Sequence, residues 1–257
     1  MRVRAYDRHS RILNLLQEES KIDVGTIAKK FNISLATARR DFSILESEGK
    51  LLRTFGGVRA KAEPSLVVKT FGEKLVAMHA AKISMARAAV KLIKPGMKLI
   101  MDSGTTIWTV SKQIKHLAPL TIITVSIAIV EDLGTAEGIT LFCGGGKFRA
   151  SNLDFYGPQA CAALGHFAAD IAFVGVDKLI PGRGAYAADH ESATMIQAMS
   201  SHANKRIVMA DHSKIASSGF ILALEEKNID IVITDAGLSA AQRRQLAKGP
   251  YQLIVAE

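Results

Sequence analysis

The stretch I-S-L-A-T-A-R-R-D-F, residues 33–42, decides how the first quarter of this chain folds. Ser34 is a natural N-cap, because its hydroxyl can accept from an amide of the first turn that has no partner within the helix. The spacing predicts a helix from there to about Ser47, with Gly49 placed to end it. On that helix Leu35, Ala38, Phe42 and Leu45 recur at i, i+3, i+7 and i+10, one apolar face. The outward positions are then Ala36, Thr37, Arg40 and Ser43, with Arg39 at the edge. Ala38 is small for a core position, and Phe42 one turn further on is large enough to fill the space beside it.

Reading outward, the run H-S-R-I-L-N-L-L-Q-E-E sets Ile12, Leu13, Leu15 and Leu16 in a helical period. A second helix is expected over Val24 to Phe31, with Asp23 as N-cap and Ile27, Ala28 and Phe31 turned inward. After the decisive stretch, K-L-L-R-T-F-G-G-V-R-A has room for two short strands turning at Gly56-Gly57. Three helices followed by a basic hairpin make a winged helix-turn-helix, whose recognition helix enters the DNA major groove N-terminus first. Arginine is the usual bidentate partner of guanine, so Arg39 and Arg40 suit base or phosphate contacts, and Ser34 and Thr37 suit either. Arg53 and Arg59 flank the wing turn and fit backbone contacts or minor-groove insertion.

Charge supports the same division. The chain of 257 residues carries a formal charge of +9. Residues 1–62 hold 13 Lys/Arg against 7 Asp/Glu, and the remaining 195 hold 20 against 17. A small polyanion-binding module joined to a nearly neutral domain has this distribution. Cys143 and Cys161 form neither a disulfide framework nor a zinc knuckle, and both are expected to be small buried residues in a reducing cytoplasm. The start M-R-V-R-A-Y-D-R has no apolar run behind it, and no apolar stretch is long enough to span a bilayer, so a cytoplasmic protein without membrane contact is expected. The histidines show no metal-ligand spacing, and neither a metal nor a cofactor is expected.

Beyond A-K-A-E-P-S (60–65), the grammar changes. Short apolar runs at 97–101, 120–125, 138–143, 170–176, 206–210, 230–235 and 251–256 alternate with helical segments such as 75–93, 104–116, 157–168 and 190–202. That pattern predicts an α/β domain with a largely parallel, buried sheet. Polar turns follow several of the strands: D-S-G-T-T at 102–106, T-V-S at 124–126, G-G-G-K at 144–147 and D-H-S-K at 211–214. Ligands bind at the carboxyl ends of strands in such sheets. Asp102, Ser103, Gly104, Thr105, Thr106, Gly144, Gly145, Lys147, Asp211 and Lys214 are therefore the candidate site. Hydroxyls and amides would take a phosphate, a lysine would supply charge, and an aspartate would accept from sugar hydroxyls. No Walker or G-x-G-x-x-G pattern is present.

S-L-A-T-A-R-R-D-F-S-I-L-E-S-E-G-K-L-L-R-T-F-G-G resembles the N-terminal signature of the DeoR family of bacterial transcriptional regulators, V-S-x-x-T-I-R-R-D-L-x-x-L-E-x-x-G-x-L-x-R-x-H-G-G. The resemblance continues through D-S-G-T-T, F-V-G-V-D and A-D-H-S-K. It implies a winged helix-turn-helix domain over 1–60, a linker over 61–74, and a doubly wound α/β effector domain over 75–257 similar to ribose-5-phosphate isomerase. It further implies a non-enzymatic repressor of a sugar or polyol catabolic operon, released from operator DNA by a phosphorylated sugar or polyol and acting as a homodimer or homotetramer. The alternative is a phosphosugar isomerase-like enzyme with an added DNA-binding domain. Four positions depart from the pattern: Ala38 replaces isoleucine, Phe42 leucine, Val125 the asparagine of T-N-S, and Ile196 a lysine of A-x-x-K-x-A-M. The last two are expected to alter the pocket.

Overall fold

The computed structural model describes residues 5–18, 21–48, 50–54, 56–60 and 70–257. It divides into two compact units, Met1–Val67 and Val68–Glu257. Gly49 and most of the expected linker lie outside the described residues, as does the side chain of Arg59.

The first unit runs α1 (Ala5–Glu18), β1 (Lys21–Asp23), α2 (Val24–Phe31), α3 (Leu35–Ser47), β2 (Leu51–Thr54) and β3 (Gly57–Ala60). Asp23 caps α2 by accepting from the Thr26 amide, and Ser34 caps α3 by accepting from the Thr37 amide. Between them Asn32 adopts the left-handed conformation, which closes α2 and turns the chain into α3. The wing is the antiparallel pair β2–β3, extended by β1, a strand that the apolar pattern is too short to announce. Gly56 has φ +83°, and a Cβ on Gly57 would lie 2.2 Å from the Ile22 carbonyl oxygen, so both glycines of the turn are needed.

The core of this unit joins Ile12, Leu16, Ile27, Ala38, Phe42, Leu45, Leu51 and Val58. Leu35 is an exception to the expected apolar face, since it is 50% exposed. The buried stripe of α3 is instead completed by Asp41. The Asp41 carboxylate is buried and takes two hydrogen bonds from Arg8 of α1, at 2.6 and 2.9 Å, and lies 2.9 Å from His9 Nε2. Burial pushes this carboxyl up, yet the bonds from Arg8 and His9 outweigh it and hold it below the ordinary range.

The second unit begins with α4 (Phe71–Val76) and α5 (His79–Val90). It continues through β4 (Lys98–Met101), α6 (Thr105–Ser111), β5 (Leu120–Thr124), α7 (Ile127–Leu133) and β6 (Ile139–Cys143). Then come β7 (Lys147–Arg149), β8 (Asp154–Tyr156), α8 (Pro158–Leu164), β9 (Ala169–Gly175), β10 (Lys178–Ile180), β11 (Gly184–Ala187) and α9 (His190–Ser201). The chain closes with β12 (Ala203–Met209), β13 (Ile221–Glu225), β14 (Ile231–Asp235), α10 (Ala240–Leu246) and β15 (Gln252–Ala256). All seven strands expected from the apolar runs join one parallel sheet of order β15-β14-β12-β9-β4-β5-β6. Its two faces bury separate cores. Met85, Ala86 and Ala89 of α5 pack with Ile107 and Phe173 on one, and Leu164, Ile196 and Met199 pack with Val174 and Val208 on the other. The sheet is therefore doubly wound. The β7–β8 hairpin and the β10-β11-β13 sheet are antiparallel additions. Residues 70–74, expected within the linker, form the N-cap and first part of α4, with a Thr70–Glu73 capping box. Cys143 is exposed, contrary to expectation, because β6 is an edge strand.

Ala38 and Phe42 are both 0% exposed, consistent with Phe42 occupying the volume that a larger residue at 38 would need. Ala38→Ile is expected to overpack the first unit by about 1–3 kcal/mol and lower its melting temperature. An unchanged or higher temperature would refute this account. Asp41→Ala removes the buried carboxylate that accepts from Arg8 and faces His9, and should destabilise the same unit by about 1–3 kcal/mol in denaturant melts.

Candidate functional site

Two sites emerge, one on each unit. On the first, Ala36, Arg39, Arg40 and Ser43 are exposed along α3, and Thr37 is half-buried with its hydroxyl 2.9 Å from that of Ser34. The N-terminal turn of α3 thus presents small residues backed by two exposed arginines. Arg53 differs from expectation. Its guanidinium turns onto α3, donating to Ser43 Oγ at 3.1 Å and pairing with Glu46 at 3.6 Å, while Ser43 donates to the Arg39 carbonyl. The wing arginine therefore braces the helix rather than standing clear of it.

On the second unit, strand order reverses between β4 and β9: the chain steps from β4 to β5 and β6 on one side, then returns to place β9 on the other. That topological switch point is where open α/β sheets leave a crevice. Asp102 spans it. Its amide donates to the Phe173 carbonyl at 3.1 Å, and its carboxylate accepts from the amides of Ser103 at 2.7 Å and Gly175 at 3.0 Å. Burial nevertheless raises the Asp102 carboxyl to about 6, and the neighbouring Asp154 adds to the rise. Gly104 has an ordinary φ of −63°, so the expected tight turn does not require glycine; a Cβ there would fill the space 3.7 Å from Asp102 Oδ2. Thr105 and Thr106 are buried in the first turn of α6.

Ser103 donates its hydroxyl to Asp154 at 2.8 Å, and Arg149 clasps the same carboxylate at 2.8 and 3.0 Å. Arg149 also donates to Ser192 at 3.2 Å, joining the β7–β8 hairpin to the start of α9. On the other side of the crevice, the D-H-S-K loop is pinned by Asp235, which accepts from the His212 amide and faces its Nδ1, both at 2.7 Å. Lys214 reaches from this loop to the Val176 carbonyl at 2.6 Å. Burial lowers its pKa, opposed by Asp177 and Asp211.

The cation that the sequence did not announce is Lys82, buried on the inner face of α5. It donates to the carbonyls of Lys74 and Ala77, the latter at 2.7 Å. Burial, together with the charge of Lys214, depresses it to about 8. Its position was readable after all: Lys82 shares the stripe of Met85, Ala86 and Ala89 at i+3, i+4 and i+7, and a lysine on a buried stripe asks for an explanation. Arg149 and Asp154 carried no comparable signal, since their hairpin has only three residues per strand.

The remaining expected residues are spread more widely. Gly144 is buried, its amide donating to Thr124 at 2.9 Å, and Gly145 is exposed. Lys147 is exposed with its ammonium 5.5 Å from the Tyr156 ring centre, so Lys214 rather than Lys147 is the cation at the crevice. Asp211 is buried, accepting from Ser213. Val125 and Ile196, expected to alter the pocket, are 1% and 4% exposed within the apolar core behind the sheet. Their departures from the family pattern are core substitutions.

Comparison with known proteins matches residues 8–63 to a DeoR-like helix-turn-helix domain and residues 77–236 to a DeoR C-terminal sensor domain. The chain belongs to the DeoR family. Like other DeoR proteins, it is a DNA-binding transcriptional regulator with an effector-sensing domain. Similar proteins include a putative aga operon transcriptional repressor from Escherichia coli O157:H7, 30% identical over 97% of this chain and 93% of the relative. The transcriptional repressor AccR of Agrobacterium fabrum is 31% identical over 90% of each chain. The repressor GlcR of Bacillus subtilis is 30% identical over 96% of this chain and 94% of its own. Among solved structures, ribose 5-phosphate isomerase A from Methanocaldococcus jannaschii overlaps 54% of this chain and 55% of its own, at 21% identity and a TM-score of 0.41. Among the described residues, no helix is long and apolar enough to cross a membrane, and no group of three His, Cys, Asp or Glu is placed to hold a metal.

Asp102→Asn keeps an acceptor for one amide and removes the penalised charge. Because the folded-state pKa is raised from 3.8 to about 6, the wild type loses stability as pH rises through that interval. Thermal melts near neutral pH should place the Asn variant level with or above the wild type, with the gap closing below about pH 4. A less stable Asn variant at neutral pH would contradict a penalised carboxylate.

Proposed function

We propose that this DeoR regulator represses a sugar or polyol catabolic operon and leaves its operator when a phosphorylated sugar or polyol binds at the β4–β9 crevice. The observation that carries the reading is the pair Lys82 and Lys214. Both ammonium groups are held on main-chain carbonyls, with Asp211 near both and Asp177 near Lys214 but no carboxylate in salt-bridge reach among the described residues. Two desolvated ammonium groups without a carboxylate in salt-bridge reach favour an anion between them. Ser103, Thr105 and Thr106 would add hydroxyl and amide contacts to a phosphate, with Gly144 and Gly145 closing the rim. Asp102 and Asp211 would accept from the ligand's hydroxyls. The names of the related repressors support the repressor reading.

On DNA, Ala36, Thr37, Arg40 and Ser43 would face the major groove, Arg39 would reach a phosphate or a base, Ser34 would bind phosphate or a base edge, and Arg53 and Arg59 would contact the backbone or minor groove. Operator symmetry fits a homodimer or homotetramer. A second reading, isomerase-like turnover, draws on Asp102, whose raised pKa lies where a general base for enediol chemistry works best.

An operator gel shift against a panel of phosphorylated sugars and polyols, with isomerase assays on the same panel, separates the two. Release of DNA without conversion is expected; efficient conversion would favour the enzyme, and operator affinity that holds constant as a ligand saturates the pocket would remove the inducer role. Arg40→Ala should weaken operator binding and relax preference at one base pair by about 1–3 kcal/mol. An equally tight and selective footprint would remove its reading role. Lys214→Ala should leave operator binding intact while abolishing release by the effective ligand in the same gel shift.

A further inference from the structure

α4 is the first described element of the second unit, and it is tied to the crevice from three directions. At its start, the Phe71 amide donates to the Ser151 carbonyl at 2.7 Å, and the Phe71 ring stands edge-on to Trp108 of α6, centres 6.1 Å apart. In its middle, Lys74 Nζ donates to Asn152 Oδ1 at 3.2 Å, on the turn of the hairpin that holds Asp154. At its end, the Lys82 ammonium takes the carbonyls of Lys74 and Ala77. Those carbonyls are among the four that a helix C-terminus leaves unpaired, and they carry the negative end of the helix. Met78, joining α4 to α5, sits in the left-handed region at φ 55° without being glycine, so the junction is held by its contacts rather than by local preference.

The consequence concerns Lys82. An anion between Lys82 and Lys214 and the carbonyl end of α4 are both negative partners of one ammonium group, and they repel each other across it. We propose that α4 is the strap through which the sensor responds: anion binding at the crevice draws Lys82 away from the α4 carbonyls and loosens residues 71–78. This rests on the anion-site reading given above. Because coupling is reciprocal, anything that weakens the docked strap must tighten anion binding by the same factor.

The strap can be tested on the full chain by hydrogen exchange, with inorganic phosphate as probe and chloride at equal ionic strength as control. Phosphate should protect residues 102–106 and 211–214 while speeding exchange in 71–77 severalfold. Thr70→Ala removes the exposed capping box of α4 without touching the crevice. A cap of this kind is worth up to about a fivefold shift in a helix equilibrium, so phosphate should bind this variant about two- to fivefold more tightly. Lys82→Met should show fast exchange in 71–77 with no further response to phosphate. If phosphate protects neither 102–106 nor 211–214, the anion site is wrong and the strap falls with it. If phosphate protects both loops but 71–77 exchanges unchanged or more slowly, or Thr70→Ala leaves phosphate affinity unaltered, the anion site stands and the strap is overturned.

Discussion

Asp102 stitches β4 to β9 at the point where the order of the sheet reverses, and the strand-end loops on either side are arranged around that stitch. Its amide closes on Phe173 and its carboxylate on the amides of Ser103 and Gly175. With those bonds, Ser103 is aimed at Asp154, the first turn of α6 is fixed beside Gly175, and the Val176 carbonyl stands where Lys214 can reach it.

Each unit uses an aspartate as a post, Asp41 buried and Asp102 half-buried, but the two sit in opposite electrostatic surroundings. Asp41 faces Arg8 and His9, and the result is a carboxyl held below its ordinary range. Asp102 has only backbone amides, with Asp154 near, and burial wins. A carboxylate neutralised by a guanidinium is a structural joint that fixes α3 on α1. One held only by backbone amides, with a second carboxylate near, stays under electrostatic tension. The same contrast separates Arg53, spent on Ser43 and Glu46, from exposed Arg39 and Arg40.

How much of this was legible follows from the range of the interactions. The caps Asp23 and Ser34 act three residues away, and the seven strands announce themselves as local apolar runs, so the helix-turn-helix and the parallel sheet could be read directly. Leu35 misled because a helical period marks a stripe without marking how much of it the core covers. Val125 and Ile196 misled for a related reason: departures from a family pattern show that an environment changed, and only packing shows that the environment is core.

The sequence by itself determined the two-part architecture, the recognition helix, and the strand-end loops that hold Asp102, Asp211 and Lys214, because each rests on contacts within a few residues. Tertiary structure alone decided which charges meet. Ser103 and Asp154 are 51 residues apart, Arg8 and Asp41 are 33 apart, and Arg149 and Ser192 are 43 apart. Periodicity fixes which face of an element is buried; it cannot say which buried polar group on one element will find its partner on another, since that depends on the order in which strands are laid into the sheet.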